Sequence, residues 1–338
     1  MKWINFILII SIAIVVFACH NKGSKITQTP SLSLAEEEDA DAQFEMGMKY
    51  SKGDGVSLDY EKAVECFQKA ANQNHIKAQY NLGFCYETGK GVPQNYGKAV
   101  EWYHKAAEQG FAKAQLNLAI CYFDGNGVPQ NYGKAVELFQ KAANAGDADA
   151  QCNLGICYYN GDGVPQNYKK ALEWHLKAAK QGLVQSQYYV GQMYYHGHGA
   201  DQNGEEAAKW LEKAAKQGLA DAQFAFGCYY LDFVSPKNYE KAVEWFQKAA
   251  NQGNADAEYK IGLCYKSGEG VSKNLAKAVE WLQKAAEQEH ANAQFELYLC
   301  YFDGEGVPQD REKAEFWRQK AKKNGCKYID VETVELPM

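Results

Sequence analysis

Residues 78–110 read AQYNLGFCYETGKGVPQNYGKAVEWYHKAAEQG, and this stretch decides the fold because the rest of the chain repeats it. Laying the chain on itself brings Ala42, Ala78, Ala114, Ala150, Ser186, Ala222, Ala257 and Ala293 into register at steps of 36 residues, with one step of 35 before Ala257. Eight copies follow. Within 78–110, Ala78, Leu82 and Tyr86 stand four apart, the spacing of one stripe on an α-helix. Every copy has Tyr at the last of these places, from Tyr50 to Tyr301. Gly83 recurs as Gly47, Gly155, Gly191, Gly227 and Gly262. A glycine inside a helix costs about 1 kcal/mol against alanine, so its recurrence predicts a close helix–helix approach.

The second half of the unit is equally regular. Gly91-Val92-Pro93-Gln94 returns at Gly127, Gly163 and Gly306, joining backbone freedom to a fixed φ in a turn. Next comes Asp59, Asn95, Asn131, Asn167, Asn203, Asn238, Asn274 or Asp310, a residue able to accept an orphan N–H at a helix start. The helix that begins there is expected to turn Ala99, Trp102, Tyr103, Ala106 and Ala107 inward, with Trp174, Trp210, Trp245, Trp281 and Trp317 in the place of Trp102. It should end at Gly110 and its counterparts, where a left-handed residue belongs. Asn74 and Glu289 replace that glycine in two copies, and Glu289 suits the conformation poorly.

Two helices of about 13 residues cannot cover both of their apolar faces alone, so neighbouring hairpins must stack. The pattern resembles the Sel-1-like repeat, a relative of the tetratricopeptide repeat. The residues that carry the likeness are Ala-x-Ala-Gln-x-x-Leu-Gly-x-x-Tyr, Gly-x-Gly-Val-Pro-Gln, Asn-Tyr-x-Lys-Ala-x-x-Trp and Lys-Ala-Ala. The resemblance covers residues 40–325 and implies an all-α, right-handed α-solenoid of eight antiparallel helix-turn-helix repeats of about 36 residues, from a family of adaptors that assemble other proteins. By analogy with tetratricopeptide proteins, the first helices would line the concave side.

Two rows on that side are candidates for binding. One holds Phe44, Tyr80, Leu116, Cys152, Tyr188, Phe224, Tyr259 and Phe295, and the other, four residues on, includes Met48, Phe84 and Leu263. Aromatic stripes most often pack in a core. The sharper reading is an apolar groove for a peptide, with Phe44, Tyr80, Phe84, Tyr188, Phe224, Tyr259 and Phe295 as anchors. Copy six departs from the pattern, with Leu231 to Pro236 in place of the glycine turn. Tolerated variation of a loop is the simpler reading and a specialised contact the other.

Ten cysteines would ordinarily suggest a disulfide framework in an exported protein. Here Cys85, Cys121, Cys157, Cys264 and Cys300 share one place in different repeats. Equivalent points in stacked helices lie about 8–10 Å apart, beyond the roughly 7 Å between Cα atoms that a disulfide spans. Cysteine-rich relatives bridge the two helices of one hairpin, whereas the Ala pairs of this second helix offer no thiol partner. Free thiols are expected, with Cys66–Cys85 and Cys300–Cys326 as weaker alternatives. His196-Gly197-His198 reads as a polar turn, and no metal or cofactor is assigned. Ser-x-x-Lys, Gly-x-Ser-x-Gly, His-Glu-x-x-His and Gly-x-x-x-x-Gly-Lys are all missing, so no catalytic residues are assigned and the chain is not read as an enzyme.

The amino terminus carries Lys2 and then a mostly apolar run from Ile4 to Ala18, the length of a signal peptide and short of the roughly 20 residues that span a bilayer. Val16-Phe17-Ala18-Cys19 resembles the bacterial lipobox, which makes Cys19 the lipidated residue of an exported, membrane-anchored lipoprotein, outer-membrane or periplasm-facing. The organisation expected is a signal peptide at 1–18, a lipid-anchored flexible tether at 19–39, repeats at 40–325 and a tail at 326–338. Lys+Arg 36 against Asp+Glu 42 leaves a net charge of −6, which disfavours a nucleic-acid partner. The sequence thus points to a non-catalytic, monomeric scaffold of the cell envelope that binds a protein or peptide on its first-helix face. An envelope enzyme such as a penicillin-binding protein and a host-directed interaction protein are the alternatives.

Overall fold

The computed structural model describes residues 39–327; the expected signal peptide, Cys19 and all but the last residue of the tether fall outside the described residues, as does most of the tail. Every element among the described residues is an α-helix, and consecutive helices pair as eight hairpins. The described residues divide into two compact units, meeting at Leu183 and Val184. In the first, the helices are α1 (Ala40–Lys52), α2 (Tyr60–Asn72), α3 (Ile76–Thr88), α4 (Tyr96–Glu108), α5 (Ala112–Asp124), α6 (Tyr132–Asn144), α7 (Ala148–Asn160) and α8 (Tyr168–Lys180). In the second they are α9 (Val184–His196), α10 (Gly204–Lys216), α11 (Ala220–Asp232), α12 (Tyr239–Ala250), α13 (Ala255–Ser267), α14 (Leu275–Glu287), α15 (Ala291–Asp303) and α16 (Arg311–Lys323).

The chemistry of the repeat places these boundaries. Each of the eight Asp or Asn residues from Asp59 to Asp310 accepts the backbone N–H three residues on, at 2.9–3.0 Å. Past the second helices the chain turns left-handed at Gly110, Gly146, Gly182, Gly218, Gly253 and Gly325, with φ of 79° to 95°. Asn74 and Glu289 take the same conformation at φ 65° and 64°, so the hairpin geometry overrides the preference of a glutamate for other conformations.

Inside six of the eight hairpins the recurrent glycine meets one large residue of the second helix. A Cβ on Gly47 would fall 2.6 Å from the Phe67 ring, and Gly83 stands likewise against Tyr103, Gly155 against His175, Gly191 against Leu211, Gly227 against Phe246 and Gly262 against Leu282. The missing side chain is therefore the space that the partner fills. Stacking does the rest. Ala63, Val64, Phe67, Ala70 and Ala71 of the first hairpin enclose Ala78, Leu82 and Cys85 of the second, and Leu82 is wholly buried. Burial of such a leucine contributes about 1.5–3 kcal/mol.

The expected inward stripe needs one correction. Val100 is buried where Trp102 is only half-buried. The indole leans on the core shared by hairpins one and two, and Lys105 Nζ lies 3.9 Å from its ring centre. The repeats also run slightly further than expected, since Cys326 is buried against Phe295 and Ala321.

Copy six gains an explanation. Its turn holds Phe233, which packs edge-on to Tyr195 with ring centres 4.9 Å apart. A Cβ on Gly204 would stand 2.5 Å from the Phe233 ring. Position 204 is Tyr in most copies, so a smaller residue in hairpin five makes room for the larger one in hairpin six. The irregular turn is internally compensated.

Candidate functional site

The aromatic row on the first helices is built into the joints between hairpins. Phe44 on α1 is 9% exposed, stacks on His75 with centres 4.6 Å apart and touches Phe67. Tyr80 on α3 lies against Tyr103 and edge-on to Phe111. On α13, Tyr259 faces His290 at 4.6 Å, and on α11, Phe224 faces Phe246 at 5.6 Å. Tyr188 on α9 accepts a hydrogen bond from Gln192 Nε2, and burial pushes its hydroxyl up to about 12. Phe295 on α15 is 9% exposed beneath Cys326. Phe44 and Phe295 thus offer little surface, while Tyr80, Phe84, Tyr188, Phe224 and Tyr259 stay half-buried.

The histidines in this row have a defined role. His75 Nδ1 accepts from the backbone N–H of Ala78 at 3.0 Å, capping α3, and its Nε2 faces Asp41 Oδ1 of α1 at 3.1 Å. His290 repeats this with Ala293 at 3.0 Å and Asp256 at 3.2 Å. Accepting at Nδ1 leaves the ring proton on Nε2, where it donates to the carboxylate. Each imidazole both starts a helix and ties two hairpins together.

The second row is less covered. Phe84 and Leu263 are half-buried although hairpins stand on both sides of them, whereas Ile120 and Ile156 at the same place are buried; Met48 and Leu299, also half-buried, belong to the first and last described hairpins. Close by in the first unit, Tyr103 donates to Glu87 Oε2 at 2.5 Å and accepts from Asn117 Nδ2 at 3.1 Å. Burial pushes both the Glu87 carboxyl and the Tyr103 hydroxyl up.

A polar column in the same helices escaped the reading of the sequence. Gln79, Gln115, Gln151, Gln223 and Gln294 are buried, and each donates to the carbonyl eight residues earlier, at the end of the preceding hairpin. Gln109, Gln181, Gln252 and Asn324 in turn donate to Gln79, Gln151, Gln223 and Gln294 at 2.8–3.0 Å. One amide therefore ties three helices. The signal was a glutamine directly after the anchor position in seven copies, with Glu258 in the remaining one.

Reactive groups are not gathered here. Nine cysteines from Cys66 to Cys326 are free thiols, including Cys66, Cys85, Cys300 and Cys326. Burial pushes Cys85 up to about 11 and Cys121, Cys157 and Cys228 up to about 12, which keeps them protonated and poorly nucleophilic. His196 and His198 lie with ring centres 5.7 Å apart, and burial followed by His198 pulls His196 down. Among the described residues no three His, Cys, Asp or Glu side chains are placed to hold a metal ion.

The Sel1 repeat model matches eight consecutive segments, from residues 40–75 to residues 291–326. The chain resembles a protective antigen of uropathogenic Escherichia coli strains that displays an SLR fold, at 36% identity and a TM-score of 0.79 over 88% of this chain. It spans 64% of the length of that antigen. A Sel1 repeat protein from Oxalobacter formigenes is 32% identical with a TM-score of 0.69, covering 88% of this chain and 86% of the other. Comparison with curated proteins gives no match.

Proposed function

The chain belongs to the Sel1 repeat family, whose members are in general protein-interaction scaffolds and typically non-catalytic, and from that premise we propose that it is an adaptor of the bacterial cell envelope. It binds a protein or peptide on the first-helix face. One observation carries this reading: Phe84 in one unit and Leu263 in the other keep apolar surface uncovered on first helices that have packed hairpins on both sides. Uncovered apolar side chains rimmed by polar ones suit a partner's side chains better than water. Within each unit, aromatic residues of the neighbouring row pack behind them in the joints between hairpins.

Export and anchoring belong to the same proposal. Cys19, behind its apolar leader, takes the lipid and holds a monomeric array at the membrane, facing the periplasm or on the outer membrane. Among the described residues no helix is long and apolar enough to cross a membrane.

The test is crosslinked capture from native envelope with the wild-type chain beside a Phe84→Glu, Leu263→Glu variant whose helicity and melting match wild type. A protein enriched by wild type and lost with the variant supports the first-helix face. Equal capture by both places the binding surface elsewhere.

A further inference from the structure

The column of buried glutamines is broken once, at Glu258 on α13, in the joint between hairpin six (α11 and α12) and hairpin seven (α13 and α14). Glu258 is 4% exposed, and its Oε2 accepts from Gln288 Nε2 at 2.7 Å, as Gln223 Oε1 accepts from Gln252 at 2.8 Å. The other half of the pattern is a donation. Gln79, Gln115, Gln151, Gln223 and Gln294 each give an amide proton to the carbonyl eight residues earlier. For Glu258 the corresponding carbonyl is that of Ala250, the last residue of α12. An ionised carboxylate has no proton to give that carbonyl, whereas a neutral carboxyl can donate as the amide does.

We propose that Glu258 makes the joint between hairpins six and seven tighten in acid and loosen as the pH rises. The charges around it do not undo this. From α14, Lys284 lowers and Glu287 raises its affinity for a proton, while Gln288 favours the anion. From α12, Lys248 is engaged over the Trp245 ring at 3.7 Å. On α13 itself, Asp256 bonds to His290, and Lys260 lies two residues away and so off this helical face. Burial is the largest influence and pushes the carboxyl up. The folded state therefore holds the proton more firmly than the unfolded chain. Stability from this group is present below the ordinary glutamate range and is lost as the pH rises through the raised value.

Such a joint would alter how firmly hairpins six and seven hold together as the surroundings acidify. The other seven copies carry Gln at this place, so the response belongs to one joint.

Melting of the full chain is followed between pH 4.5 and 8 for wild type, Glu258→Gln and Gln294→Glu, together with amide exchange in Tyr239–Ala250 and Ala255–Ser267. The gap between Glu258→Gln and wild type should widen with pH by about 2–4 °C, with slower exchange in α12 and α13 of the variant at high pH. Gln294→Glu should acquire the same response in the joint between hairpins seven and eight. A gap that stays constant with pH, or a Gln294→Glu chain whose pH dependence matches wild type, overturns the proposal.

Discussion

His175 should make the first unit sensitive to acid, and Phe should remove that sensitivity. His175 is wholly buried on α8 at the place held elsewhere by Phe67, Tyr103, Phe139, Leu211, Phe246 and Leu282, with Gly155 directly against its ring. Burial pulls the imidazole from its ordinary 6.5 down to about 3. Between these values the unfolded chain takes up a proton that the folded chain refuses, so stability falls as the pH drops below 6.5. At 1.36 kcal/mol per pH unit the loss is about 2 kcal/mol by pH 5 and on the order of 5 kcal/mol near pH 3. Phe fits the shape, since Phe139 fills the same place in the preceding hairpin and is likewise wholly buried.

The assay is melting of wild type and His175→Phe at pH 7.5, 6 and 5, with amide exchange in α7 and α8 as the local readout. The difference between variant and wild type should grow by about 2 kcal/mol between pH 7.5 and 5, roughly 4–8 °C in melting temperature. Parallel pH profiles for the two chains would refute the reasoning.

Other expectations can be checked with single variants. Gly127→Ala should destabilise by more than Gly55→Ala, because an added Cβ at Gly127 overlaps the backbone of Tyr96 while at Gly55 it meets nothing within 4 Å, although both have positive φ; urea midpoints decide this. Asn131→Ala removes the cap of α6 and should cost about 1 kcal/mol, read by helicity and melting. Gly204→Ala should cost about 1–3 kcal/mol by overpacking against Phe233, and the double variant Gly204→Ala, Phe233→Gly should recover much of that loss. Alkylation of the native chain should be slow, and alkylation after denaturation without reductant should label all nine described cysteines; protected pairs in the mass spectrum would contradict the free thiols.

What recurs at fixed spacing in the sequence also recurs in the structure. The eight caps, the left-handed residue after each second helix and the glycine against a large partner could all be read by aligning the copies, because each depends on contacts within one hairpin or at its turn. Contacts between hairpins were harder to see. The buried glutamines look like polar residues at the edge of an apolar stripe, and only stacking reveals the carbonyl that each one meets. The fit of Phe233 to Gly204 joins two residues that are unremarkable apart and belong to different copies. Helical periodicity sets Trp102 on an inward stripe but cannot show that Lys105 lies over its ring. For the candidate face, the positions of Phe44 to Phe295 were legible as a row. How much of each ring the next helix cap covers was not, since His75, Phe111 and His290 approach from the neighbouring repeat.

The central claim is that the first helices carry the partner-binding face. A photo-crosslinking amino acid placed at Phe84, Tyr188 or Leu263 on first helices, and at Glu101, Glu173 or Glu280 on exposed positions of second helices, tests it in living cells. The account expects discrete protein adducts from the first set and none from the second. Adducts from the second-helix positions alone would contradict it.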